Sequence, residues 1–381
     1  MLKTTGARLS AALLGYFTLV ILLLTLNPFY LRLPDEIHFT FRSGLTNLIS
    51  NIILFLPLGF FYRLTTRRRG AYILGFCLSL SIEVIQLFIP ARTPSVVDII
   101  ANTLGAGLGA VIYNLLSINT PITKGMVGKL RLETPLMGLA YLMGPLLWAN
   151  SLAFRSSSHH WVLTFMILLC IAIIFSELFR HWWERVDYRI GLYAAITTGV
   201  WCVLGLGPIL RFSTQVRIIC LGMVLLAGVL TVIPRKSTER RFELTTLMRI
   251  LPVFFLYLIA LVLWSPFRPI TTWHMTTGFT NFPRETSLQV LNPRIEYLIA
   301  FTVLGYMLAE WRGRSELSLA QDFPRLFLSS LGIAFLLEIA SGFQVGTGAS
   351  LVRAGMVVIG ASFGGMIYHL LRAHIRFLLG R

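Results

Sequence analysis

The chain has 381 residues, of which 56% are hydrophobic and only 13% charged. That apolar surface exceeds what a soluble core absorbs, because a chain folded in water still needs a polar skin. The net charge of +17 does not mark a nucleic-acid binder either: the basic residues fall in short clusters between apolar runs, such as Arg67-Arg68-Arg69 and Arg235-Lys236, with no basic face carrying interleaved aromatics.

Apolar runs of spanning length occur near 9–29, 46–64, 71–89, 95–117, 135–153, 161–179, 190–210, 216–233, 249–267, 295–311, 325–345 and 350–371. Lys3 and Arg8 precede the first run, but no small-x-small cleavage site follows it, so it reads as an uncleaved span. Lipid forces each segment to satisfy its own backbone groups, and the runs lack the alternation of barrel strands. The expected fold is therefore an all-α integral membrane protein with about twelve transmembrane helices. With the N-terminus inside, 23 of the 33 Lys and Arg fall on cytoplasmic loops and 10 on the opposite side. The positive-inside rule then predicts a multi-pass protein of the bacterial cytoplasmic membrane with both termini in the cytoplasm. The four cysteines lie in apolar runs without a CxxC pair, and the histidines show no HExxH spacing, so neither metal nor cofactor is expected. His159-His160 reads as part of a short solvated loop.

The C-terminal third echoes the N-terminal third. Glu83–Tyr113 aligns without gaps on Glu338–Tyr368, an offset of 255, with 9 of 31 positions identical, and Phe55-x3-Gly59 matches Phe301-x3-Gly305. The expected organisation is a four-helix module at 1–118, a middle four-helix segment at 119–246 and a second, degenerate module at 247–381. An even number of spans separates the copies, which makes them parallel repeats. Both keep GxxxG, at Gly105/Gly109 and Gly360/Gly364, the spacing that lets helix backbones approach closely.

The copies part company in their polar residues. Asn51, Gln86, Arg92, Asp98 and Asn102 of the first become Tyr297, Ser341, Thr347, Arg353 and Val357 in the second, while Glu83 is kept as Glu338. Ionisable groups within a span are costly and default to functional candidates. On the predicted topology, Asn51, Glu83 and Asn102 each sit about 10 Å below the outer surface. Asp98 starts span four one turn above Asn102, and Arg92 lies in the loop between. The set Asn51, Glu83, Gln86, Arg92, Asp98 and Asn102 is the candidate ligand-binding site. Each of these residues also has a structural reading, as helix cap, headgroup contact or interhelical hydrogen bond.

The runs NIILFLPLG from Asn51, IEVIQ with Glu83 and Gln86, and DIIANTLGAGLG with Asp98, Asn102, Gly105 and Gly109 resemble the VanZ-like family of bacterial membrane proteins. The resemblance covers residues 10–118 well and 249–372 weakly. It implies a four-helix module of the cell envelope, linked in the founding member to low-level resistance to the glycopeptide teicoplanin. The expected partners are membrane lipids and a lipid-linked or glycan headgroup ligand. Two other readings stand beside this one. Glu83 and Asp98 as general acid and base would make an enzyme acting on an envelope glycan or lipid. Twelve spans with a parallel repeat would also suit a transporter.

Overall fold

The computed structural model describes residues 5–26, 33, 39–41, 44–66, 70–89, 92–119, 124–153, 160–182, 188–210, 213–233, 242–263, 270–276, 288–312, 318–344 and 348–378. Arg67, Arg68, Arg69, Arg235, Lys236, His159 and Thr347 lie outside the described residues.

Among the described residues twelve helices follow one another: α1 (Thr5–Thr25), α2 (Leu45–Thr66), α3 (Ala71–Gln86), α4 (Val96–Asn119), α5 (Lys124–Ala153), α6 (His160–Trp182), α7 (Tyr188–Leu210), α8 (Thr214–Val232), α9 (Phe242–Leu263), α10 (Leu288–Arg312), α11 (Leu319–Gly342) and α12 (Leu351–Leu378). Among the described residues, nine are long and apolar enough to cross a membrane, and α1 and α3 add shorter apolar stretches. The outward faces show why. On α4, Ile100, Leu104, Leu108, Val111 and Leu115 form an exposed stripe along the helix, and Tyr72, Ile73, Phe76, Leu80 and Val84 do the same on α3. Apolar stripes of that length do not survive on a soluble monomer, so their solvent is the acyl region of a bilayer. The protein is an all-α, multi-pass membrane protein.

α10 is different. Its residues 295–310 are buried on nearly every side, including Glu296 and Glu310. It is an inner helix, so its charges face protein rather than lipid.

The contacts divide the chain into two compact units, Met1–Val127 with Pro283–Ile295 and Ala373–Arg381, and Gly128–Phe282 with Glu296–Arg372. The middle segment and most of the second module thus share a unit. In the first unit α2 packs on α1, α3 and α4, around a core of Ile21, Leu26, Phe55, Leu58, Ile82 and Ile89. In the second, α6 packs on α7, α8 and α9.

The two sequence modules repeat their contacts in detail. A Cβ on Gly105 or Gly109 would run into the α2 backbone at Ile52 and Leu56, and one on Gly59 into α4 at Ala106. The equivalents Gly360, Gly364 and Gly305 meet Leu298, Thr302 and Ala361 in the same way. Phe60 and Tyr113 stack edge to face at 5.6 Å, and their counterparts Tyr306 and Tyr368 do so at 5.5 Å. The connections cross alike as well. Thr40 bridges Ser95 in parallel, as β1 (Met275–Thr276) pairs with β2 (Ala349–Ser350). The sequence repeat is therefore also a repeat of helix crossings.

Candidate functional site

Glu83, on the last turn of α3, is 3% exposed. One carboxylate oxygen, Oε2, accepts the backbone N–H of Ser95 at 2.8 Å, immediately before α4 begins. The first N–H groups of a helix have no intrahelical acceptor and carry partial positive charge, so a carboxylate there is well placed. The second module does the same: the Ser350 N–H donates to Glu338 Oε2 at 2.7 Å. In both modules the glutamate thus caps the start of the following helix.

Around that shared cap the modules differ. In the first, Asp98 and Arg92 both lie within electrostatic reach of Glu83. Burial pulls the Arg92 guanidinium below its ordinary range, and the Glu83 charge opposes that shift. One turn deeper, the Asn102 amide donates to Ser79 Oγ at 2.8 Å, and both residues are buried. Asn102 Oδ1 and Ser95 Oγ, each in a residue 3% exposed, have no hydrogen-bond partner among the described residues. Asn51 is half-buried on α2, one residue from the Ile52 carbonyl against which Gly105 packs. Gln86 points elsewhere: its amide donates to the Thr25 carbonyl at 2.8 Å, closing the C-terminal end of α1. The structure thus gathers Glu83, Arg92, Asp98 and Asn102 between α3, α4 and their loop, and commits the Gln86 amide to α1.

In the second module Arg353 takes the place of Asp98 and makes a two-pronged ion pair with Glu338, both contacts at 2.6 Å. Its guanidinium also donates to Ser341 Oγ at 2.6 Å and to the Gly348 carbonyl at 2.9 Å. Gly348 has φ 59°, the left-handed region that glycine enters without steric cost, and this turns its carbonyl toward Arg353. The deeper Ser79–Asn102 layer becomes Ala334 and Val357, both buried and apolar. The α1 cap persists with a different residue, since Gln344 donates to the Leu263 carbonyl at the end of α9.

One buried network escapes the sequence reading. Glu296 on α10 is fully buried and accepts from the Tyr257 hydroxyl and the Asn150 amide, each at 2.9 Å. Thr164 donates to Asn150 Oδ1 at 2.6 Å, and His160 Nε2 stands 3.7 Å from Glu296 Oε2. His160 opens α6 and is half-buried, not part of a solvated loop. The signal was present: Glu296 and Asn150 fall at the outer ends of predicted spans, where a polar residue passes for the edge of the helix.

The residues of the first cluster lie in the part of the chain that known proteins share. The family model described as VanZ/LLP1 matches residues 5–117. The first module is VanZ-like. Protein VanZ of Enterococcus faecium is 29% identical over 98 residues, covering 24% of this chain and 60% of that protein's length. No solved structure matches the chain.

Proposed function

We propose that the VanZ-like module of this chain is a cell-envelope element that binds a lipid or glycan headgroup from the outer side of the cytoplasmic membrane. The supporting observation is the contrast between two modules on one scaffold. The helix-capping glutamate and the glycine crossings recur in both. A second carboxylate, a loop guanidinium and a buried amide layer occur around the cap only in the VanZ-like module. Parts kept twice serve the fold, and the polar set found only in the VanZ-like module, where Asp98 replaces the arginine of the two-pronged Glu338–Arg353 pair, is what a ligand would use. Arg92 supplies the contact to an anionic group, while Asn51 and Asn102 orient the sugar or phosphate by hydrogen bonds. On the outward orientation, such a site meets lipid-linked envelope intermediates, and this is how the module would alter glycopeptide susceptibility, the trait that the VanZ resemblance implies.

The test is complementation of a deletion strain, scored by teicoplanin susceptibility and by membrane abundance of the protein. Asp98→Asn and Asn102→Val should each lose complementation at normal abundance. Full complementation by both variants would reduce the cluster to packing.

A further inference from the structure

The network around Glu296 treats its two carboxylate oxygens unequally. Oε1 accepts both the Tyr257 hydroxyl of α9 and the Asn150 amide of α5, each at 2.9 Å. Oε2 is fully buried too, and has no hydrogen-bond partner among the described residues. Opposite it stands His160 Nε2 at 3.7 Å, too far for a hydrogen bond and near enough for an ion pair. A carboxylate that keeps its charge inside a span needs a counter-charge, and both donors on Oε1 are neutral. One proton resolves this. On Oε2 it makes Glu296 neutral and gives that oxygen a hydrogen to donate; on the imidazole it makes His160 the cationic partner of the carboxylate. The two groups therefore titrate as a pair rather than singly.

The surroundings point to exchange with solvent rather than a sealed packing bond. His160 opens α6 and keeps 13% of its side chain exposed, whereas Glu296 keeps none. The imidazole thus stands between the aqueous phase and the buried carboxyl, and histidine is the side chain that exchanges protons in the physiological range. From the neighbouring elements, α5 and α6 add Asn150 and Thr164, neither of them titratable. The other titratable groups in electrostatic reach are Tyr257 and, next along α10, Tyr297. The Tyr297 hydroxyl donates to the Leu261 carbonyl, and its ring faces the Arg353 guanidinium at 5.8 Å. That guanidinium is paired with Glu338 at 2.6 Å, so the charges that α11 and α12 bring near Tyr297 compensate each other.

We infer that Glu296 and His160 form a proton-binding site, the buried carboxyl its seat and the imidazole its relay to water. On the orientation read from the Lys and Arg distribution, that water is on the outer side, where α6 enters the membrane. Oε1 ties the same carboxyl to α5 and α9, so a single proton acts on three helices around α10. The site lies in the second compact unit and does not rest on the headgroup reading of the first.

The experiment is pH-difference infrared spectroscopy on the full chain in detergent, which reads carboxyl and imidazole protonation directly. Wild type should show a carboxyl band, assigned by its loss in Glu296→Gln, and an imidazole band, assigned by its loss in His160→Asn, that change together at one midpoint. In Glu296→Gln the imidazole midpoint should move by about one pH unit or more, the mark of strongly interacting sites. In His160→Asn, which leaves the Tyr257 and Asn150 bonds in place, the Glu296 carboxyl should stay protonated across the physiological range. Should Glu296→Gln fail to accumulate, His160→Asn decides alone: a carboxyl band that still titrates as in wild type overturns the inference. So does a wild-type carboxyl band without pH dependence, which makes Glu296 a permanently neutral packing residue, or an imidazole midpoint unmoved by Glu296→Gln. Vesicles sorted by the accessibility of an N-terminal tag test the relay: both bands should follow the pH on the side opposite the tag, and a response to the tag side refutes access through His160.

Discussion

At the scale of single residues, the two modules run a controlled comparison on one glutamate. Glu338 and Arg353 are both mostly buried and fully paired. Removing one partner of such a pair leaves the other charge stranded, at a cost of about 3–5 kcal/mol, while replacing both by apolar residues is often neutral. Thermal unfolding in detergent should therefore show Glu338→Gln clearly destabilised, and Glu338→Leu with Arg353→Leu close to wild type. Glu83→Gln should cost less: in both variants a glutamine oxygen still accepts the N–H that opens the next helix, but only Glu338→Gln breaks the two-pronged pair with Arg353. Equal losses for Glu83→Gln and Glu338→Gln would mean that the two clusters are wired alike. The rule that intramembrane charges carry function picks out Glu83 from the sequence, but it cannot separate capping from ligand binding. That separation needs the Ser95 N–H and the occupant at position 98 or 353 in space. Gln86 shows the same limit: its place near Glu83 along α3 is legible, whereas its bond to Thr25 depends on where α1 ends.

At the scale of helices, hydropathy reads the fold well because lipid leaves helices no alternative. The GxxxG spacing gives the crossing of α2 and α4, and the structure shows which glycines make it. Gly105 and Gly109 abut backbone, while Gly107 between them has open space around it. Gly109→Leu should destabilise the chain by about 1–3 kcal/mol or prevent its accumulation, as overpacking does. Gly107→Leu should be near neutral, and a thermal shift comparing the two measures the difference. A large loss from Gly107→Leu would place the crossing on another face. The short parallel bridges Thr40–Ser95 and β1–β2 were not legible: they join residues of no distinctive type across loops whose lengths differ between modules.

At the scale of the whole molecule, the distribution of Lys and Arg predicts cytoplasmic termini, which puts the Glu83 cluster on the outer side. In a background without native cysteines, Thr93→Cys on the α3–α4 loop should label with an impermeant thiol reagent from outside the cell. Thr66→Cys at the end of α2 should label only after permeabilisation. The reverse pattern would turn the site inward and exclude outer headgroups. Insertion of the chain is shaped by α10, the helix closed in by protein. An apolar segment can partition into lipid singly as it leaves the translocon, but Glu296 and Glu310 deny α10 that route, since Glu296 is tolerable only once Tyr257 and Asn150 donate to it and Glu310 only once protein buries it. Biogenesis of the last third is therefore collective: α10 enters the bilayer as the guest of helices made before and after it, and the ribosome must finish them before the helix is at home.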